Sequence, residues 1–308
     1  MRVLVFGGTG WLGHNIAAVF SAGRHETLIC SRGRKTAYPL PAGAAVLRAD
    51  KDDPEAVREI FRTTPCDIVI DTRPSVRSVK NIAGFAGNRL KHYIHCSSTG
   101  GYAPLAAIPG NESCPYRPFR GGWAEKCDVD ALAMELFHRN GFPATILRPC
   151  YITGPGLLPL DNLGGRREDF LADLKNGVTL DLPDTGRALL QPVEVTDLAS
   201  AFELAAENFR TIGRIYNICS DHAVTLNRYL QLNAGVFGVE ARLHHLPLEE
   251  MVIKYRGVAD EIGLRFLAEH MCFDISAARR ELGYEPRFSP EEAIESTARH
   301  AGRLLGLL

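Results

Sequence analysis

The sequence predicts an α/β protein built on a doubly wound parallel sheet, with a smaller C-terminal region set against it. Three observations carry that prediction. Short unbroken apolar runs alternate with amphipathic helical segments through the first half. A glycine-rich turn joins the first run to the first helix. Past Gly154 the alternation stops and a Gly-, Pro- and Leu-rich stretch begins.

The elements follow in order. Residues 2–6 form a continuous apolar strand, and 11–22 place Leu12, Ile16, Val19 and Phe20 on one helical face. Strands are then expected at 26–30, 45–48, 67–71, 92–96 and 144–147, with helices between them at 54–62, 76–89 and 126–140. Strands separated by helices at this spacing imply right-handed crossovers and a parallel sheet. Helices cover both faces of such a sheet, so its strands read as apolar runs rather than alternating ones. Beyond residue 155, helices are expected at 168–176, 195–208 and 225–237, with a short strand at 214–218. Residues 1–155 then form one unit and 156–308 the second, with part of 187–235 returning to the first.

Composition narrows the function classes. The chain has 308 residues, 45% of them apolar and 23% charged, enough for a sizeable core. A net charge of −1 spread along the length offers no basic face for nucleic acid, which makes such a partner unfavoured. The eight cysteines include no CxxC pair, and several sit inside apolar runs. They read as reduced buried thiols in a reducing compartment, and a cytoplasmic protein is expected. Residues 3–6 are too short for a signal-peptide core, and no apolar stretch is long enough for a membrane helix. No histidine stands at metal-ligand spacing, so no metal is expected.

The turn Gly7-Gly8-Thr9-Gly10-Trp11-Leu12-Gly13 lies directly between the first strand and the first helix. One glycine permits the tight bend, another lets backbone approach a pyrophosphate, and the last allows close helix–strand packing. Phosphate would then rest on the free N–H groups of the helix N-terminus. The spacing is GxxGxxG rather than GxGxxG, but the strand-turn-helix context is that of a dinucleotide site in a Rossmann fold. The second strand ends in Cys30-Ser31-Arg32-Gly33-Arg34, with no carboxylate for a ribose 2′-hydroxyl. Ser31, Arg32 and Arg34 suit a 2′-phosphate instead, which favours NADP(H), with NAD as the alternative.

Further signatures resemble the extended short-chain dehydrogenase/reductase family, in its NAD(P)-dependent epimerase/dehydratase branch. They include Leu47-Arg48-Ala49-Asp50, Ser97-Ser98-Thr99-Gly100-Gly101-Tyr102, and the run from Leu147-Arg148-Pro149 to Gly154-Pro155-Gly156. The segments 192–198, 216–218 and 274–284 are also similar to family signatures, so the resemblance covers nearly the whole chain. Arg32-Gly33-Arg34 with 50–54 is similar to a subgroup that includes chloroplast stem-loop-binding proteins. The resemblance implies cofactor contacts from Gly7, Thr9, Gly10, Trp11, Leu12, Gly13, Asp50, Lys51, Lys126 and Pro149. It implies a substrate-binding role for the C-terminal region. It also implies a homodimer through the helices at 76–89 and 126–140.

In this family a Ser or Thr hydrogen-bonds the reacting oxygen, a Tyr exchanges the proton, and a Lys holds the nicotinamide ribose. Ser98 and Lys126 match the first and last roles. At the tyrosine position, four residues before Lys126, stands Gly122. Three phenols could reach the same point: Tyr151, Tyr116 and Tyr102, of which Tyr151 is the preferred surrogate. Its other reading is a packed aromatic beside the nicotinamide. Tyr116 with Arg120 offers an alternative register that breaks the downstream spacing. Cys127 reads as a structural thiol. Two function classes remain: an NADP(H)-dependent oxidoreductase, epimerase or dehydratase on a small biosynthetic or nucleotide-sugar-like molecule, and a non-redox NADP-binding scaffold, sensor or RNA-binding protein.

Overall fold

The computed structural model describes residues 1–33, 38–116 and 123–308. Its first half runs β1 (Arg2–Phe6), α1 (Trp11–Ala22), β2 (Glu26–Ser31), β3 (Ala45–Arg48), α2 (Pro54–Thr63), β4 (Ile68–Asp71), α3 (Val76–Phe85), β5 (His92–Cys96), α4 (Trp123–Asn140) and β6 (Ala144–Pro149). The second half continues with β7 (Ile152–Thr153), α5 (Phe170–Lys175), β8 (Thr179–Pro183), β9 (Leu189–Leu190), β10 (Val193–Glu194), α6 (Val195–Glu207), β11 (Ile215–Ile218), β12 (Val224–Thr225), α7 (Leu226–Gly235), β13 (Arg242–Leu246), α8 (Leu248–Lys254), α9 (Glu261–Leu267) and α10 (Pro290–Leu304).

Seven strands form one parallel sheet in the order β11-β6-β5-β4-β1-β2-β3. The chain runs outward from β1 to β3, then returns to β4 and runs outward the other way. The crevice at the carboxyl ends of β1 and β4 is therefore the switch point where ligands bind in such sheets.

The pleat of β1 shows why the strands read as unbroken apolar runs. Val3 and Val5 face a core with Ile16 and Phe20 of α1 and Leu198 and Phe202 of α6. Leu4 and Phe6 face the opposite layer, with Val57, Ile60, Val79, Ile82 and Val129 from α2, α3 and α4. A third cluster, including Phe170, Leu174, Tyr229, Leu230 and Ile294, holds the C-terminal region together.

Local signals set the helix ends. Pro54 starts α2 behind an Asp53 cap that accepts from Glu55 N–H at 3.0 Å. Ser75 and Ser78 close a capping box on α3. The helix expected over 76–89 stops at Phe85, and Gly87–Arg89 form a separate 3₁₀ turn. Gly87 adopts φ +61°, a left-handed conformation that ends an α-helix. Among the described residues, no helix is long and apolar enough to cross a membrane.

Candidate active site

The glycine turn is built so that backbone approaches backbone. Gly7 has φ +81°, and a Cβ there would overlap Thr72 Oγ1. A Cβ on Gly13 would stand 2.7 Å from both Gly7 C and Gly8 Cα, and one on Gly8 would meet Ile29 Cγ2 at 2.8 Å. These glycines hold α1 against β1 and β2. Gly10 is the N-cap of α1 and provides no side-chain cap, and the first turn carries no acid. The first N–H groups of the helix thus face the crevice without a side-chain acceptor, as an incoming phosphate requires. Thr9 sits half-buried in the turn. Trp11 and Leu12 open into the crevice, with Trp11 Nε1 donating to Pro155 O at 2.7 Å.

At the far end of β2 and β3, Arg32, Arg48, Ala49 and Asp50 line an open cavity of about 290 Å³. Ser31 ends β2 beside it, its Oγ accepting from Gly33 N–H at 3.3 Å. Asp50 uses one oxygen to accept from Asp52 N–H at 3.0 Å. Arg48 supplies a cation that the loop pattern of 30–34 did not single out. Its signal was register: Ser31 pairs with Arg48 across β2 and β3, so the two strand ends share one site. Arg34 lies outside the described residues. Lys51, expected at the cofactor, donates to the buried Asp71 carboxylate and to Arg73 O. A carboxylate with no exposed surface at the end of β4 draws the ammonium inward.

A second cavity, about 520 Å³, begins at Trp11 and Leu12 and passes the ends of β4, β5 and β6 into the C-terminal region. Ser98, Lys126, Pro149 and Tyr151 all line it. Ser98 Oγ accepts from Gly100 N–H at 3.1 Å. Lys126 Nζ donates to Ser97 O at 3.5 Å. Tyr151 packs edge-on to Phe266, ring centroids 5.8 Å apart, and burial pushes its phenol well above the usual range. The other two phenols are committed elsewhere. Tyr116 donates to Ser98 O at 2.8 Å, and Tyr102 accepts from Arg148 Nη1 at 2.6 Å, burial raising Tyr102 to about 12. Gly122 and Arg120 lie outside the described residues.

Beneath the cavity floor runs a buried polar network that the sequence did not reveal. Asp130 of α4 accepts from Ser97 Oγ (2.9 Å) and from Arg148 Nε (2.9 Å), and pairs with His95 Nε2 (2.8 Å). The Arg148 guanidinium lies 3.5 Å over the Tyr116 ring. Burial alone would raise the Asp130 carboxyl; the His95 hydrogen bond and the Arg148 charge pull it below its ordinary value. The network fixes the backbone of Ser97 and Ser98 where β5 enters the cavity.

A parallel switch-point crevice, an uncapped helix behind a glycine turn, and a lysine and serine across one cavity define a dinucleotide-dependent α/β protein. The model of the NAD dependent epimerase/dehydratase family matches residues 3–219, and the chain belongs to that family of extended short-chain dehydrogenases/reductases. It is 25% identical to the chloroplast stem-loop binding protein of 41 kDa b of Arabidopsis thaliana, over 95% of this chain and 77% of that one. It is 23% identical to the 4-hydroxy-2-methyl-3-oxo-4-farnesyl-3,4-dihydroquinoline-1-oxide ketoreductase of Stigmatella aurantiaca, over 98% and 97% of the two chains. The fold matches UDP-glucuronic acid 4-epimerase from Bacillus cereus, solved with NAD, at TM-score 0.79 and 15% identity over 99% and 100% of the chains.

Proposed function

We propose that the protein is an NADP(H)-preferring oxidoreductase or epimerase acting on a small, largely apolar molecule that bears an anionic group. One observation carries this reading: a continuous cavity joins the glycine turn to Ser98, Lys126 and Tyr151. The turn fits a dinucleotide: Gly7 and Gly13 have no room for a Cβ, against Thr72 and against the backbone of Gly7 and Gly8, so α1 packs close behind β1 and its N-terminus carries no side-chain cap to compete with a phosphate. The N-terminus of α1 would hold the pyrophosphate, and Arg32 and Arg48 the 2′-phosphate. When bound, the nicotinamide supplies a hydride donor or acceptor.

The chain's own residues would do the rest. Ser98 Oγ already accepts a backbone N–H, so its own O–H is left to donate to the reacting oxygen. Lys126 spends one donor on Ser97 O and keeps two for ribose hydroxyls. Tyr151 holds its proton at neutral pH and would be the general acid; burial raises its pKa, so a cation beside the ring, such as Arg166, has to lower it for the proton to be delivered.

The lining supports the substrate class. Trp123, Leu157, Leu160, Phe266, Leu267 and Met271 give apolar walls. Arg73, Lys126 and Arg166 are its charged groups, and among the described residues no carboxylate lines it. Arg166 spends donors on Ile152 O (3.0 Å) and Leu158 O, and burial lowers its pKa, so an anion would relieve its desolvation.

The test is a paired titration with NADPH and NADH by nicotinamide fluorescence, followed by a carbonyl-substrate screen on wild type and Tyr151→Phe. Tight NADPH binding and a turnover loss of about 10²–10⁴-fold in the variant are expected. Unchanged turnover in Tyr151→Phe removes Tyr151 from the chemistry. Gly122, standing where the family has its tyrosine, favours a second reading in which the protein binds NADP without redox turnover. Tight NADPH binding with no turnover across the screen would select it.

A further inference from the structure

Away from the cavity, beside the amino-terminal end of β2, the C-terminal end of α6 carries Glu203 and Glu207, with no basic residue in its last turn. Two carboxylates one turn apart repel each other, and both sit at the negative end of the helix dipole. Burial and the neighbouring Glu207 charge push the Glu203 carboxyl above its ordinary value.

His25, in the turn between α1 and β2, faces this pair. Its side chain is only 4% exposed, and among the described residues neither ring nitrogen has a hydrogen-bond partner. Nε2 lies 3.4 Å from Glu207 Oε1 but outside hydrogen-bonding geometry. The edge of Phe20 packs against the ring, centroids 5.4 Å apart. A buried imidazole with both nitrogens unsatisfied costs stability unless something pairs with it. Ligand atoms of His25, Glu203 and Glu207 all lie within 4.8 Å of one another. Gly23 completes the setting, since a Cβ there would come within 3.1 Å of Glu203 Oε1.

We propose that His25, Glu203 and Glu207 form a binding site for a divalent transition-metal ion of the zinc type, which fastens the α1–β2 turn to the end of α6. A cation there answers every anomaly at once: the carboxylate repulsion, the acids at a helix C-terminus, and the orphaned imidazole. One nitrogen and two carboxylate oxygens suit Zn²⁺, whereas Ca²⁺ and Mg²⁺ prefer all-oxygen shells. Zinc–ligand bonds of about 2.0–2.2 Å put donors up to about 4 Å apart, so the triad closes by a small side-chain rotation. His25 lies far in sequence from Glu203 and Glu207, and for that reason no histidine-carboxylate spacing motif shows.

Chelator-treated full-length protein is titrated with ZnCl₂ against a competing chromophoric chelator, with a thermal melt alongside. One equivalent of zinc and a raised melting temperature are expected. Glu207→Gln and His25→Ala should each weaken zinc at least about tenfold, the lower end of what disturbing even an outer partner costs. Glu207 has 58% of its side chain exposed, so Glu207→Gln decides the matter if His25→Ala fails to fold. NADPH titration reports folding in every variant. Absence of stoichiometric zinc binding overturns the proposal. So does zinc affinity unchanged in Glu207→Gln, which would put the metal elsewhere, such as His222 with Asp221 and Glu291.

Discussion

Asp130→Asn should destabilise the protein far more than its near-identical shape suggests. Asp130 and Arg148 are 2% and 3% exposed, and the carboxylate meets three partners on two oxygens. Asparagine offers one acceptor. With its oxygen kept on Ser97 and Arg148, its NH₂ faces His95 Nε2, which must then accept and carry its proton on Nδ1. That nitrogen has no hydrogen-bond partner among the described residues. The Arg148 charge is left with a neutral amide oxygen, a phenol and a ring face. Breaking a buried pair by removing one partner costs about 3–5 kcal/mol. Unfolding entropies of roughly 2.1 cal/mol/K per residue give a chain of this length a melting shift of roughly 5–8 °C.

The sign of the pH dependence follows from the depressed carboxyl. Stability from Asp130 is fully present above its unfolded pKa of about 3.9 and is lost as pH falls through the lower folded value. Denaturant melts of both proteins at neutral pH and at progressively lower pH provide the assay. The gap between wild type and variant should be widest at neutral pH and close below about pH 4. A variant within about 1 kcal/mol of wild type at neutral pH, or a gap that widens in acid, would refute the network's role.

Two other outcomes are expected. Gly13→Ala forces a methyl against the backbone of Gly7 and Gly8, and overpacking of about 1–3 kcal/mol should weaken NADPH about 5- to 150-fold in a fluorescence titration. Arg32→Ala with Arg48→Ala removes hydrogen bonds to a charged group worth about 1.5–3 kcal/mol, so NADPH affinity should fall at least about tenfold while NADH changes little; equal losses for both nucleotides would place the 2′-phosphate elsewhere.

The sheet was legible because its physics is local. An apolar run such as Val3–Phe6 is buried on both faces whatever its neighbours, and the glycine turn carries its conformational demand in its own residues. The Asp130 network was not legible, since His95, Asp130 and Arg148 come from β5, α4 and β6 and meet only when those elements pack. Arg48 was hidden in the same way, by strand register rather than by motif. Ser98 and Lys126 reach one cavity as their motif spacing suggested, but the apolar walls and Arg166 depend on how the long C-terminal segments fold back, and no periodicity encodes that.

The placement of β11 has a consequence for how the molecule can be divided. Residues 215–218 leave the C-terminal region to become an edge of the main sheet, and α6 lays Leu198 and Phe202 on the core beside α1. A chain ended near Gly156 would leave β6 with an unpaired edge and strip the cover from Ile16 and Phe20. Such a fragment would behave as a sticky half-sheet rather than a free-standing nucleotide-binding module. Recombination that exchanges substrate pockets among relatives therefore has to splice in at least two places, keeping the thread that sews the pocket to the sheet.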